Sequence, residues 1–92
     1  MRANGKAFRL HALEGSGLVG IATTRKIGNN PRRNRQRRRT VEALRGLDTT
    51  GLDIAVTVKP SAEERSLDEL REELRKLIAE IRTRWANGSA SD

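Results

Sequence analysis

The sequence predicts one domain of the α/β (α+β) class, on the strength of its length and two kinds of pattern. Three stretches are strand-like, two of them with a clear alternation of apolar and polar residues, and two further stretches show helical spacing of apolar residues. With 92 residues the chain has room for one core, which must be mostly aliphatic because the chain has one Phe and one Trp. We expect a single domain over residues 1–86 and a flexible tail at 87–92.

The predicted sheet has three strands. Residues 7–13 alternate with a period of two, and the turn residues at 14–17 lead into a second strand-like stretch at 18–24, so we expect these two strands to form a β-hairpin. A third strand at 53–59 has the clearest alternation and ends at Pro60.

A long helix is predicted near the end of the chain. Ser66 and Glu69 have the capping-box spacing, in which each side chain bonds a backbone N–H that otherwise has no partner. This helix is expected to cover the sheet with a stripe of apolar residues. The stripe consists of Leu67, Leu70, Leu74, Leu77, Ile78 and Ile81.

A second helix is predicted to begin at Asn29-Asn30-Pro31, with Asn as the N-cap and Pro at the first helical position. Val41 and Leu44 are expected to anchor it to the core, while the outer arginines face solvent. Like charges three and four residues apart are unfavourable in a helix, which indicates an anionic partner. Its arginines are Arg32, Arg33, Arg35, Arg37, Arg38 and Arg39.

Positive charge is concentrated in the first half of the sequence. Residues 1–45 have a charge balance of +10 and residues 46–92 a balance of −3, within a net charge of +7. Such asymmetry attracts a polyanion and steers its approach. Nucleic acid is the leading partner; an anionic membrane surface is disfavoured because the basic segment lacks the apolar aromatic face of interfacial helices.

The composition argues against several other classes. Cys is absent, which excludes disulfides and thiolate metal sites, and no apolar run approaches the length of a membrane span. One His and no cluster of acidic residues around the basic segment disfavour catalysis by protein side chains. A cytoplasmic location is the default expectation.

Gly28 and the asparagines that follow it have two interpretations. A glycine permits close backbone approach, and the free N–H groups of a helix start favour a phosphate. The same residues also form a common helix cap, and the sequence favours this structural interpretation.

One set of motifs extends through the basic segment. It begins with Arg25-Lys26-Ile27-Gly28-Asn29, continues through Arg33-Asn34-Arg35 and Arg37-Arg38, and ends with Glu42-Ala43-Leu44-Arg45; Phe8-Arg9-Leu10-His11 precedes it. Together these motifs resemble the bacterial ribonuclease P protein component over nearly the whole chain. The resemblance implies a ribosomal protein S5 domain 2-like fold, in which a small sheet has a left-handed β-α-β crossover and a covering C-terminal helix.

The resemblance also implies a function. The family binds the catalytic RNA of ribonuclease P and the 5′ leader of precursor tRNA, and it assists removal of the leader. The RNA performs the hydrolysis with Mg²⁺, which is expected to be bound mainly by the RNA, so no catalytic or metal-binding residue is expected in the protein. We expect a monomer in a 1:1 complex with the RNA.

The residues implied to contact RNA belong to the motifs just described. They are Lys26, Asn29, Arg33, Asn34, Arg35, Arg37 and Arg38, with Arg25, Arg32 and Arg39 as further phosphate contacts. The family also presents an aromatic leader cleft, where a ring would stack on an unpaired base. Phe8 and His11 fall on the matching strand, on opposite faces, so His11 is the better candidate and Phe8 has an alternative interpretation as a core residue.

The sequence departs from the family in two places. The chain begins almost directly at the first strand, so the family's N-terminal helix is missing, and we expect either weaker leader binding or a truncated start. Val41 also stands where an arginine is usual. Two alternatives stay open, a structural RNA-binding protein of the ribosomal type and a small basic nucleoid protein.

Overall fold

The computed structural model describes residues 1–88 and shows a mixed four-stranded sheet with two α-helices against one face. Of the tail predicted at 87–92, positions 87 and 88 belong to the last helix, and 89–92 lie outside the described residues. Short 3₁₀ helices at Arg25–Ile27 and Pro60–Glu64 precede the two α-helices. The main elements are β1 (Arg2–Asn4), β2 (Phe8–Glu14), β3 (Val19–Thr23), α1 (Asn30–Leu44), β4 (Leu52–Val58) and α2 (Leu67–Gly88).

The strand order is β1-β2-β4-β3, which places β1 and β3 at the two edges of the sheet. β2 pairs antiparallel with both β1 and β4, whereas β3 pairs parallel with β4. The parallel pair is connected through α1, which packs against both strands. The predicted α+β class is therefore confirmed.

The predicted hairpin is wrong, because β4 lies between β2 and β3. The segment after β2 crosses the start of β4 instead of forming a tight turn. One carboxylate oxygen of Asp53 accepts hydrogen bonds from the backbone N–H groups of Ser16 and Leu18, both at 3.0 Å. The N–H of Gly15 also donates to the carbonyl of Gly51 at 2.9 Å. A turn-rich segment alone does not reveal that a later strand inserts beside it.

β1 is an element that the sequence pattern does not predict. It has three residues, too few to show alternation, and it pairs with β2 so that Arg2 lies opposite His11. Arg84 of α2 donates a hydrogen bond to the carbonyl of Arg2 at 2.6 Å. β1 therefore depends on contacts with β2 and α2 rather than on its own propensity.

The core lies between the sheet and the two helices. Alternate residues of β2 and β4 are buried, as the period of two predicts, and they face the apolar stripe of α2. The capping box is present: the Ser66 N–H donates to Glu69 Oε1 at 3.0 Å, and the Glu69 N–H donates to Ser66 Oγ at 3.1 Å. Within residues 1–88, neither helix combines the length and the apolar character needed to cross a membrane.

α1 contacts the core through residues that the sequence pattern does not single out. Its buried residues are Gln36, Thr40 and Ala43, whereas Val41 is 49% exposed. The hydroxyl of Thr40 donates to the carbonyl of Gln36 at 2.8 Å, so its polar group is satisfied inside the helix. Leu44 packs against the core as predicted, but the prediction that Val41 is an anchor is wrong. Two of the three buried residues are polar and give no apolar signal.

Candidate nucleic-acid interface

The basic helix α1 begins at a well-formed cap. Asn29 is the N-cap, and its Oδ1 accepts a hydrogen bond from the backbone N–H of Arg32 at 3.2 Å. Pro31 is the second helical residue rather than the first, at no cost because first-turn N–H groups have no partner within the helix. Gly28 has a φ of 119°, a value that favours glycine, and it redirects the chain into α1.

Part of the predicted contact set is free of protein partners. The side chains of Arg25, Lys26, Arg35 and Arg38 are exposed, and within the described part of the chain they form no salt bridge or hydrogen bond. Arg35 and Arg38 are one turn apart on α1. Their guanidinium groups are therefore free to bind an external anion.

Two other arginines are positioned by neighbouring polar groups. Arg37 Nη1 donates to Asn34 Oδ1 at 3.0 Å. Arg33 donates to the carbonyl of Gly28 at 2.9 Å and also bonds the side chain of Asn30. Because a guanidinium has five N–H donors, these bonds orient each group and leave other donors for phosphate oxygens.

Arg32 has an acidic partner. Its Nε and Nη2 donate to the two carboxylate oxygens of Glu63 at 3.0 and 2.6 Å. The Arg32 side chain is 56% exposed, and an exposed ion pair of this kind contributes little to stability. A phosphate at this position would have to compete with Glu63.

Arg39 differs from the other predicted contacts because both of its terminal nitrogens donate to groups of the protein, among them two backbone carbonyls before α2. Its Nη1 donates to Gln36 Oε1 at 2.9 Å and to the carbonyl of Ala62 at 3.0 Å, and its Nη2 bonds the carbonyl of Arg65. These bonds connect α1 to the segment before α2. The structure thus gives Arg39 a bracing role within the protein, and its contact with phosphate stays a prediction.

The sheet face that the helices leave uncovered forms an open groove of about 550 Å³. His11 lines this groove together with Leu13 and Leu18, and all three are exposed. Phe8 points to the other face of β2 and is fully buried in the core. Its ring has no surface for a base, which corrects the cleft expectation for Phe8 and confirms its alternative interpretation as a core residue.

Two exposed basic residues outside the predicted set adjoin these surfaces. Arg9 is exposed on the same side of β2 as His11, where the alternation of the strand already places it. Arg45 directly follows α1, and its side chain is 70% exposed. Its Nη2 lies 3.4 Å from Glu42 Oε2. Arg45 comes four residues after Val41, so helical spacing places the two side chains close together. The sequence therefore gave an indication of the positions of both Arg9 and Arg45.

Several of the acidic residues accept hydrogen bonds from groups of the protein. Within residues 1–88, no three His, Asp or Glu side chains are arranged to hold a metal ion. Glu73 accepts hydrogen bonds from the N–H groups of Ala7 and Phe8 at 2.9 and 2.8 Å. The pKa of Glu69 is lowered because the backbone N–H and hydroxyl of Ser66 donate to its carboxylate.

The fold and this surface define a class, a small α+β domain that presents a basic helix to a polyanion. The family model described as Ribonuclease P matches residues 1–82. The chain belongs to this family and is accordingly a protein subunit of ribonuclease P, an enzyme of tRNA processing. The comparison with curated proteins found no match.

Solved structures agree with this assignment. The RNase P protein from Thermotoga maritima is 27% identical and superimposes with a TM-score of 0.73 over 85% of this chain and 80% of that chain. The same protein in complex with 1-(4-fluorophenyl)-2-thiourea is 25% identical, with a TM-score of 0.73 over 85% of this chain and 82% of that chain. The Staphylococcus aureus RNase P protein, 18% identical with a TM-score of 0.72 over 86% and 78% of the two chains, shares the fold.

Proposed function

We propose that this chain binds the catalytic RNA of ribonuclease P through the outward face of α1 and the 3₁₀ helix before it, and that it assists removal of the 5′ leader from precursor tRNA. The observation that carries the proposal is the group of partner-free basic side chains at Arg25, Lys26, Arg35 and Arg38. A planar guanidinium on a rigid helix binds phosphate bidentately and loses little entropy when it does so.

The proposed RNA-binding set follows the geometry of α1. Arg33 and Arg37 are already oriented by hydrogen bonds, and Asn34 accepts the bond that orients Arg37. Asn29 uses its oxygen to cap α1, so its amide N–H groups remain as donors. Arg32 joins the set when a phosphate replaces Glu63, whereas Arg39 is omitted.

For the 5′ leader, the open groove on the sheet is the proposed site. It offers the ring of His11 and apolar walls for an unpaired base, and Arg9 beside it for a phosphate.

In this proposal one protein molecule binds one RNA in the cytoplasm, and the RNA carries out the endonucleolytic hydrolysis with Mg²⁺. The protein supplies fixed positive charge, which lowers the concentration of Mg²⁺ needed to neutralise the folded RNA.

The test is the salt dependence of RNA binding. Each phosphate contact contributes about 0.7–0.9 to the slope of log affinity against log salt, so Arg35→Ala with Arg38→Ala should reduce the slope by about 1.4–1.8. Arg75→Ala is the control, because Arg75 is an exposed arginine on α2 that is paired with Glu72 and does not belong to α1. An unchanged slope in the double variant would remove the outward face of α1 from the interface.

The same assay tests the nucleoid-protein alternative. A ribonuclease P subunit should bind its own catalytic RNA more tightly than a duplex DNA of equal length at the same salt concentration. Equal affinity for the two would favour the nucleoid protein, since phosphate contacts alone do not distinguish them.

A further inference from the structure

An apolar notch lies where α1 meets the edge strand β3. Its volume is about 330 Å³, and its walls include Val19 and Ile21 from β3, and Val41 and Leu44 from α1. Val41 is 49% exposed and Val19 is 38% exposed. Since α1 is anchored by other residues, Val41 is not needed for packing, and this β3 notch presents apolar surface within a basic region.

The β3 notch continues the basic face of α1. Val41 follows Arg37 by four residues and Arg38 by three, so all three lie on adjoining positions of one helix face. Arg45 lines the notch and is its one charged lining residue among the described positions; its Nη2 lies 3.4 Å from Glu42 Oε2, an exposed pair that a phosphate can replace, and Arg37 and Arg38 outweigh this single acid. The electrostatic environment is therefore positive, which suits a ligand that joins an apolar group to an anion.

The positive charge around the β3 notch favours an unpaired nucleotide over a second copy of the chain as the ligand of the notch. A second copy of the chain paired along β3 would bring its own Arg37, Arg38 and Arg45 towards the same groups, and like charges so close repel. An unpaired nucleotide instead joins a flat base to a phosphate, and RNA is commonly recognised through bases that leave a loop or bulge.

We propose that the β3 notch binds one unpaired base of the RNA that α1 contacts, with Arg45 bonded to the adjoining phosphate. The inference rests on the proposed function and adds a base-recognition site to it. The base packs against Val19 and Val41, and the phosphates on either side lie near Arg38 and Arg45. The contact selects a local RNA structure, since a base held in a continuous duplex cannot enter the notch.

The first test is Val41→Thr, which exchanges a methyl for a hydroxyl and keeps the branched shape that the helix already accommodates. Affinity for the catalytic RNA of ribonuclease P from the same genome should fall about three- to tenfold, as expected for the loss of a small apolar contact. The salt slope should not change, because no charge is lost, and binding of long-chain inorganic polyphosphate, which has no bases, should be unaffected. Ala79→Thr on the exposed face of α2 is the matched control.

The second test is NMR of the methyl groups of the full chain with the same RNA. Nuclear Overhauser effects between base protons and the methyl groups of Val41 and Val19 would support the proposal. Absence of such effects at the notch, or unchanged RNA affinity in Val41→Thr, would overturn it, and so would effects between two protein copies across β3. If Val41→Thr changes nothing while Arg35→Ala and Arg38→Ala still reduce the salt slope, this inference fails and the proposed function stands. A wild-type chain that does not bind the RNA would overturn both.

Discussion

The arginines of α1 have different roles because their side chains reach different partners. Arg35 and Arg38 extend into solvent, Arg32 reaches Glu63, and Arg39 crosses to the carbonyls of Ala62 and Arg65. The residue type is the same, but the direction of each side chain around the helix decides whether it binds an external anion or the protein itself.

Arg39→Ala and Arg38→Ala should therefore behave as opposites. Arg39→Ala should lower the free energy of unfolding by about 1–3 kcal/mol, because it removes partly buried hydrogen bonds between a charged group and two carbonyls, and it should leave the salt slope of RNA binding unchanged. Arg38→Ala should change stability by less than about 0.5 kcal/mol, as is usual for an exposed site, and should reduce the slope. Urea denaturation and salt titration measure the two quantities; a reduced slope in Arg39→Ala would contradict this division.

The sequence shows which residues are basic, but it does not show which basic side chains lack a partner within the protein. Helical spacing separates inner from outer positions, and it correctly leaves Arg35 and Arg38 outside. Arg39 bonds two carbonyls that lie more than twenty residues later in the chain. The positions of these carbonyls depend on how α1 packs on the segment before α2. No local pattern contains that information. Phe8, in contrast, is placed in the core by the alternation of its own strand.

At the scale of elements, the ends of a helix or strand could be predicted where residues close in sequence determine them. α2 begins at the predicted capping box, and β2 and β4 coincide with the predicted strands to within one residue. β1 and the position of β4 between β2 and β3 were not predictable, since both depend on pairing between distant segments. The anchor of α1 was missed for another reason, because Gln36 and Thr40 are buried while Val41 is exposed.

The capping box of α2 makes stability depend on pH. The pKa of Glu69 is lowered by its hydrogen bonds with Ser66, so the carboxylate stabilises the fold above its ordinary pKa and loses this contribution as pH falls through the lowered value. Glu69→Gln should be less stable than the wild type at neutral pH, and the difference should shrink as the pH is lowered through that range. Urea unfolding at a series of pH values tests this, and a difference that is constant with pH would contradict it.

At the scale of the whole molecule, the fold concentrates positive charge on α1, since α2 carries five acidic and five basic residues. The basic first half of the sequence supplies α1, whereas most of the acidic residues lie in the second half, which supplies α2. The sheet holds α1 beside α2 through the core, so the outward face of α1 has a fixed shape. The overall charge asymmetry and the anionic partner could be inferred from sequence, but the open groove and the β3 notch arise from the strand order.

The most direct test of the central claim is the turnover of a precursor tRNA by the catalytic RNA of ribonuclease P at low Mg²⁺. The wild-type chain and the Arg75→Ala control should raise turnover strongly, and the variant with both Arg35→Ala and Arg38→Ala should raise it much less at the same protein concentration. Turnover that is the same with and without the wild-type chain, or full activation by the double variant, would contradict the claim that α1 binds this RNA.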